Sequence, residues 1–557
     1  MIGKRSAQQA LFDVGNVFDL SLSPTSFYGQ LAKVSERLFD DDDFAELYSD
    51  KVGRPSVPPS LLALLVLLQA HDNVSSEEAI DRSAYDLRWA AVLRRPAGQA
   101  LCARSTLELF RSHLILHDQF LAIFKASLKE AKRAGLLSGQ ALRLAVDTKP
   151  ILGRGAVLDT YNLLAAGIVQ LVRAFARRQS CSVKQWLIVH DLGEYAEPSI
   201  KGTVDIDWSD DEAKNEFLTK IVADARQLLT QVDGADASSK EAAHLLEQLL
   251  LQDVAVADGP DGPKATIIEG KAPGRIPSVT DPAQRHGRKS KQHRYTGHKA
   301  SIAVDIDSGI IVAADVLAGD APDDTRLMPL IAQAEANARL PVTETIGDCA
   351  YGDGANRQMF AEASRKLFAK VPKTGSNGLF PKSAFLIDLH KNRVTCPGGQ
   401  TTSRFTTDKN GLAFHFGLAC SGCPLRSLCT TVKEGSRSGR TLRVHPQEAL
   451  LQEARKYAHS EQGRVHLRER LVVENRLGRL AQLGIGQARY RGHQKTAFQL
   501  FMAATVANLR RTWNWEDQRN NNPPERNRTP LKAQLNACRR SDKITFNRTQ
   551  RTRAIAV

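Results

Sequence analysis

The sequence of 557 residues has few cysteines, no long apolar run and no internal repeat. Its eight cysteines have no regular spacing along the chain, which excludes the disulfide framework of a small secreted protein. The apolar run at residues 61–68 is too short to cross a membrane, and residues 1–10 lack the apolar segment of a signal peptide. We therefore expect a soluble, cytoplasmic protein.

The positive charge of the sequence is concentrated at one end. Residues 440–557 contain 24 Lys and Arg against 9 Asp and Glu, whereas residues 1–439 contain 52 of each sign. The net charge of +15 therefore belongs to the last fifth of the chain. A basic tail can serve solubility alone, but here the charge begins inside a segment with helical periodicity. That favours a polyanionic partner, of which nucleic acid is the usual one.

Hydrophobic periodicity predicts an α/β protein whose first part, residues 1–136, is helical. Residues 137–513 are predicted to form a mixed sheet covered by helices. The predicted strands of this part are residues 141–147, 298–306, 310–317, 343–348 and 368–371, and the predicted helices are residues 323–340, 355–367 and 465–483. A helical insertion at about 155–285 and a cysteine-rich insertion at about 376–440 interrupt it. The basic tail at residues 514–557 is expected to be disordered.

Three acidic residues occupy positions that suit a metal-dependent phosphoryl-transfer site. Asp147 and Asp348 each end a predicted strand, and Glu474 lies inside the predicted helix at residues 465–483. If the two strands are parallel neighbours, their carboxyl ends share one edge of the sheet, and a helix packed across that edge can add Glu474. Three carboxylates there can hold two divalent cations. Taken singly, each acid is more simply a helix cap or a surface charge.

Other acidic residues leave this assignment open. The rival candidates are Asp159, Asp305, Asp353 and Glu469. Asp305 comes two residues before a predicted hairpin turn, so its carboxylate more simply serves the sheet or the turn.

Several segments, taken in their order along the chain, resemble a DDE transposase of bacterial insertion sequences. Residues 145–150 with 153–155 resemble the first-aspartate block, residues 347–352 the second-aspartate block, and residues 470–474 with 488–492 and 508–509 the glutamate block. Residues 295–299 through 319–323 are similar to the second and third strands of the family, and residues 53–68 with 86–89 to its preceding helical domain. The resemblance covers nearly the whole chain to about Trp513.

The resemblance implies an RNase H-like catalytic domain after a helical N-terminal domain for DNA binding and dimerisation. Asp147, Asp348 and Glu474 would be catalytic and would bind two Mg²⁺ or Mn²⁺ ions. The protein would bind terminal inverted repeats in double-stranded DNA, cut the element free and join it to target DNA. It would act as a homodimer on the bacterial nucleoid. Some relatives have Tyr and Lys where this chain has Leu467 and Ala481, which is a departure.

Basic residues in two segments are candidates for DNA binding. In residues 285–299, predicted as a loop that leads into a core strand, the candidates are Arg288, Lys289, His298 and Lys299. A solvated linker explains this segment equally well. Near the third acid the candidates are Arg470, Arg489, Arg491 and Lys495, the last three around the turn-forming Gly492.

Four cysteines form a candidate zinc site. Cys396, Cys420, Cys423 and Cys429 are separated by 23, 2 and 5 residues. A Cys-x-x-Cys pair with two further thiols can bind Zn²⁺ tetrahedrally. The bound zinc would stabilise an insertion that has only a small hydrophobic core. Reduced thiols packed as small apolar groups explain the cluster equally well, and His415 could replace one thiol.

Two other functions remain open from the sequence. One is a related metal-dependent DNA nuclease that cuts without joining, and the other is a non-catalytic DNA-binding regulator derived from a transposase. Only a transposase yields joined target DNA, whereas the regulator would bind DNA without cleaving it.

Overall fold

The computed structural model shows a mixed α/β protein. It describes residues 1–5, 22–49, 53–232, 236–260, 262–270, 272–290, 292–372, 378–433 and 437–521. None of the helices in these ranges combines the length and the apolar composition that a membrane crossing requires.

The helices and strands are numbered here in chain order. The helices are α1 (Phe27–Val34), α2 (Pro59–Asp72), α3 (Ser76–Tyr85), α4 (Leu87–Leu93), α5 (Arg104–Leu116), α6 (Phe120–Arg133), α7 (Thr160–Arg178), α8 (Val183–Val189), α9 (Asp211–Leu229), α10 (Ala237–Asp253), α11 (Leu327–Ala338), α12 (Gly354–Glu362), α13 (Glu448–His459), α14 (Glu461–Arg468), α15 (Leu471–Leu480) and α16 (His493–Asn521). The strands are β1 (Leu142–Leu152), β2 (Val254–Gly259), β3 (Gly262–Ile267), β4 (Arg285–Arg288), β5 (Arg294–Asp305), β6 (Ile311–Ala318), β7 (Val342–Ile346), β8 (Lys366–Phe368), β9 (Leu386–Asp388), β10 (Arg393–Thr395), β11 (Thr401–Thr402), β12 (Phe405–Asp408), β13 (Gly411–His415) and β14 (Thr441–Val444).

The first helices share one hydrophobic core with the main sheet. Helix α2 begins at Pro59, whose ring fits the first turn, and ends at Asn73 in the left-handed conformation. It is apolar and buried on nearly all sides, because α16 packs against it as well as against α6 and β6. The described part of residues 1–136 is helical, as the sequence predicts.

The main sheet has six strands of mixed direction. Strand β5 pairs antiparallel with β1 on one side and with β4 and then β6 on the other. Strand β1 pairs parallel with β7, and β7 pairs parallel with β8. The order from edge to edge is therefore β6-β5-β1-β7-β8, with β4 continuing the β6 edge. The prediction that the strands before Asp147 and Asp348 are parallel neighbours is confirmed.

Several predicted boundaries are wrong. Strand β1 continues through Leu152, so Asp147 lies inside a strand and not at its end. Residues 285–299 were predicted as a loop but form the β4–β5 hairpin. The predicted helix at residues 465–483 is divided into α14, α15 and a π-helical turn at Ala481–Ile485, in which Gly484 has a φ of 90°. The predicted helices at residues 323–340 and 355–367 are shorter, as α11 and α12.

The C-terminal prediction is also partly wrong. Helix α16 runs to Asn521, so residues 514–521, which were expected to be disordered, are helical. Residues 522–557 lie outside the described residues.

The two insertions each have a hydrophobic core. The first contains α7 to α10 and the β2–β3 hairpin around a cluster that includes the buried Trp186. The second contains β9 to β14 in two small antiparallel sheets. Its buried core is small and consists of Phe385, Val394, Phe414, Phe416, Cys429, Leu442 and Val444.

Candidate functional site

The two candidate aspartates lie at the same edge of the main sheet. The parallel pairing of β1 with β7 ends where Ala145 lies opposite Ile346. Asp147 and Asp348 each follow two residues later, and β1 continues beyond this point along β5 to Leu152, which also forms a bridge to Gln487. Asp348 also caps a short 3₁₀ turn, since its carboxylate accepts the Ala350 N–H at 2.8 Å. The backbone therefore brings both carboxylates to one edge.

Helix α15 brings Glu474 toward the same edge. The helix packs against β1 and β5 and buries Val473, Leu477 and Leu480. One turn before Glu474, the guanidinium of Arg470 lies 3.3 Å from Asp147 Oδ2 and 2.6 Å from Glu474 Oε1. Arg470 thus bridges the strand carboxylate and the helix carboxylate.

The carboxyl group of Asp147 is electrostatically perturbed. Burial is the main reason that its pKa is raised to about 6, and the negative charges of Asp348 and Glu474 raise it further. The hydrogen bond from the Thr148 N–H and the positive charge of Arg470 lower the pKa of Asp147, but they offset only part of this rise. A divalent cation among these groups would stabilise the ionised carboxylate, so the donor set fits a hard metal ion.

Tyr351 lies beneath the acidic edge and was not singled out from the sequence. It is fully buried, and its hydroxyl has no hydrogen-bond partner among the described residues. Burial raises the pKa of Tyr351, and the charges of Asp147, Asp323 and Asp348 contribute in the same direction. A Cβ at Gly347 would lie 2.8 Å from the Tyr351 ring, which explains the glycine before Asp348.

A second acidic set lies between the middle of β7 and the end of α14. Among the described residues, Glu344, His466 and Glu469 are the set whose potential ligand atoms all lie within 4.8 Å of one another. Asp147, Asp348 and Glu474 do not meet this spacing. The second set could bind a metal ion, but Arg143 already supplies a cation there: its Nε lies 2.7 Å from Glu344 and its terminal nitrogen pairs with Glu469.

Each of the four rival acids has a structural partner. Asp159 and Asp353 accept backbone N–H groups at the starts of α7 and α12. Asp305 accepts the N–H and the hydroxyl of Ser308, which confirms that it serves the hairpin turn. Glu469 belongs to the Arg143 network.

Two of the residues predicted to bind DNA are engaged inside the protein. His298 is completely buried, with its Nε2 3.7 Å from the buried Asp281 carboxylate, so it cannot reach a DNA phosphate. Lys299 forms an ion pair with Asp323 at 2.7 Å and also donates to the carbonyl of Ala321. The two side chains point to opposite faces of β5, and each is held there by a neighbouring acid.

The other predicted basic residues differ in their availability. Arg489 donates to the Val74 carbonyl at 2.6 Å and to the Asn73 side chain at 2.7 Å, which ties its loop to the end of α2. Arg470 is half-buried and pairs with Asp147 and Glu474, whereas Arg491, Lys495 and Lys289 are exposed at the surface. Arg288 is exposed too and donates to the carbonyl of Ser290.

The four candidate cysteines of the second insertion line one small cavity. Its volume is about 20 Å³, and Cys396, Cys420, Cys423 and Cys429 all contribute to its wall. The backbone N–H of Arg440 donates to the Cys420 sulfur at 3.3 Å. The four sulfurs are reduced and are more widely spaced than the Glu344 set. Burial raises the pKa of the Cys429 thiol.

Comparison with known proteins identifies two family models. The Transposase DDE domain matches residues 395–513, and the Transposase domain (DUF772) matches residues 17–113. The first match includes Glu474 but not Asp147 or Asp348. No curated protein and no solved structure matches the chain. Both matches are to transposase families, and they confirm that this chain is related to the DDE transposases of insertion sequences.

Proposed function

We propose that the protein is a transposase that binds the terminal inverted repeats of an insertion sequence and catalyses metal-dependent DNA strand cleavage and strand transfer. The observation that supports this most directly is the meeting of β1, β7 and α15, which brings Asp147, Asp348 and Glu474 to one edge of the sheet. The order β6-β5-β1-β7-β8, with antiparallel strands first and parallel strands last, supports an RNase H-like core.

The three carboxylates would hold the divalent metal ions that DDE transposases generally use. Such ions activate a water or a DNA 3′-hydroxyl and neutralise the leaving 3′-oxygen. Arg470 pairs with both Asp147 and Glu474, and its guanidinium would donate to a substrate phosphate at this edge. The buried Tyr351 beneath the edge excludes water from the protein side of the carboxylates.

In this proposal the parts of the chain have separate tasks. Residues 1–136 recognise DNA ends and contribute to dimerisation, residues 137–513 carry the catalytic site, and residues 514–557 add positive charge. Two ends must be joined in one reaction, so a homodimer on DNA is the simplest assembly. The protein would act on the bacterial nucleoid.

Strand cleavage of a duplex that carries an insertion-sequence end, in Mg²⁺ or Mn²⁺, tests the proposal. We expect Asp147→Asn, Asp348→Asn and Glu474→Gln each to abolish cleavage. Asp159→Asn is the matched control, since asparagine also caps a helix and the Asp159 carboxylate accepts the N–H groups at the start of α7. Cleavage at the parental rate in the three variants would refute the site. Joined target DNA separates a transposase from a nuclease, and DNA binding without cleavage would favour a regulator.

We also propose that the four cysteines of the second insertion bind one structural Zn²⁺. Two observations support this: all four line a single cavity, and a backbone N–H already donates to one sulfur, as it would to a thiolate. The metal would draw the sulfurs together and stabilise an insertion whose own buried core is small.

A further inference from the structure

A basic cavity lies between α15 and α16, on the side of α15 that faces away from the sheet. Its volume is about 560 Å³, and Glu474 forms part of its wall. The other polar residues of the wall are mainly arginines and amides. The arginines are Arg476, Arg479, Arg510 and Arg511. The amides are Asn475, Gln482, Asn514 and Gln518.

The four arginines have no acidic partners. Within the described part of the chain, none of their guanidinium groups has a carboxylate oxygen within 4.0 Å, in contrast to Arg470. Arg479 donates to the amide oxygen of Gln482 at 2.7 Å, and Arg511 donates to a backbone carbonyl at 2.9 Å. The Nε of Arg476 is buried and has no hydrogen-bond partner among the residues that the structure describes. The described wall of the cavity therefore holds four guanidinium groups and one carboxylate, that of Glu474.

This arrangement is electrostatically unfavourable when the cavity holds no anion. Burial lowers the pKa of Arg476, and the neighbouring charges of Arg511 and Arg479 lower it further. Burial also lowers the pKa of Arg510 and Arg511. Guanidinium groups nevertheless stay charged at neutral pH, so the repulsion persists. A bound anion would relieve it and would satisfy the free donors.

We propose that this cavity binds consecutive phosphates of a DNA backbone on the flank of Glu474, an inference that rests on the proposed function for its ligand. A single phosphate would fill only part of about 560 Å³, whereas four guanidinium forks suit several phosphates. Amide side chains add donors for phosphate and sugar oxygens. Contacts to phosphate and sugar oxygens carry no direct sequence information, so the binding in this cavity is independent of DNA sequence. Because Glu474 belongs to the same wall, a strand bound here is led toward the acidic edge.

The N-terminal helices position one of these arginines. Asp72 lies 2.6 Å from His71 Nδ1, and the guanidinium of Arg510 lies 2.7 Å from His71 Nε2. Burial lowers the pKa of His71, which favours the neutral ring that donates to Asp72 and accepts from Arg510. The Phe27 ring stacks on His71 at 3.8 Å and fixes its plane. His71 is therefore a positioning residue for Arg510.

Metal-free DNA binding tests the inference separately from catalysis. The probe is a fluorescent duplex of arbitrary sequence, titrated in EDTA at several salt concentrations. For Arg479→Gln we expect weaker DNA binding. A plot of log affinity against log salt concentration should also be less steep, with a slope smaller in magnitude by about one, because one phosphate contact is lost. Arg178→Gln, an exposed arginine of α7, is the control and should leave both unchanged. An unchanged slope and affinity for Arg479→Gln would overturn the inference.

Arg476→Met tests whether a loss of DNA binding is an indirect effect of impaired folding. Methionine keeps an unbranched side chain and removes a buried donor that has no partner, so we expect the melting temperature to stay the same or rise while DNA affinity falls. Parental affinity in this variant would count against the cavity. If the parent binds DNA through the arginines but cannot cleave it, the proposed function fails and the inference stands. If the parent cleaves and the arginine variants bind normally, the inference alone fails.

Discussion

Asp72 joins the first helices, and its replacement by asparagine should measurably destabilise them. Its carboxylate is 6% exposed and lies at the end of α2. It accepts hydrogen bonds from Tyr28 of α1 at 2.7 Å, Arg82 of α3 at 2.7 Å and Trp89 of α4 at 3.1 Å, and it also contacts His71. One ionised group therefore connects three helices to α2.

The pKa of Asp72 gives the expected size of the effect. Burial raises the pKa of this carboxyl, but hydrogen bonds from His71, Tyr28 and Trp89 outweigh burial and lower it from 3.8 to about 2. A shift of one pKa unit corresponds to about 1.4 kcal/mol. The ionised form of Asp72 therefore stabilises the folded state by about 2 kcal/mol more than the protonated form does. Asparagine resembles the neutral form, and Asp72→Asn should therefore cost about 2 kcal/mol at pH 7.

The sign of the pH dependence follows from the direction of the pKa change. A carboxyl whose folded-state pKa is lowered contributes its full stabilisation above the unfolded-state pKa, here 3.8, and loses it as the pH falls toward about 2. The difference between parent and variant should therefore be constant from neutral pH down to about pH 5 and should shrink below that.

Hydrogen exchange of the α2 to α4 amides is the assay, because a chain with several hydrophobic clusters need not unfold in one step. Asp81→Asn is the matched control, since Asp81 is exposed on α3. Equal protection of parent and Asp72→Asn at pH 7 would refute the reasoning, as would a loss that does not shrink in acid.

Three further substitutions test separate parts of the structure. Gly297→Ala should lower the free energy of unfolding by more than about 2 kcal/mol, because the new Cβ would lie 2.1 Å from a β1 carbonyl oxygen. Thermal unfolding measures the effect, and Gly478→Ala, with open space around its new Cβ, is the control. Equal melting temperatures of the two variants would contradict the prediction. Cys423→Ser should reduce the bound zinc by about one ion per chain, as measured by mass spectrometry. Cys102→Ser, which lies outside the cluster, should leave the zinc content unchanged, and a parent protein without zinc would exclude the site. Asp305→Ala should lower the free energy of unfolding by about 1–3 kcal/mol, because the hydrogen bonds from Ser308 are lost. DNA cleavage per folded molecule should stay unchanged. Abolished cleavage would make Asp305 a catalytic candidate again.

The sheet could be predicted from the sequence where its pattern is local. Alternation at residues 298–306 and 310–317 with a turn between them indicates a hairpin, and the structure has β5 and β6 there. The extent of β1 beyond Asp147 could not be predicted, because Lys149 and Pro150 break the apolar alternation. Pairing with β5 and the bridge from Leu152 to Gln487, both far along the chain, keep this stretch extended.

The availability of basic residues could not be predicted either. Lys299 is neutralised by Asp323, a contact that depends on the packed sheet. Conversely, the sequence does not reveal the basic cavity, because two helices must pack before its arginines converge. A local signal was present: Arg476 and Arg479 are three residues apart, which places them on one face of a helix.

The most direct test of the central claim is a crystal structure of the full chain with Mn²⁺, examined at the manganese absorption edge. We expect anomalous peaks among the carboxylates of Asp147, Asp348 and Glu474, with Arg470 displaced from at least one of them. Peaks confined to the Glu344, His466 and Glu469 set, with the Arg470 bridge intact, would contradict the claim.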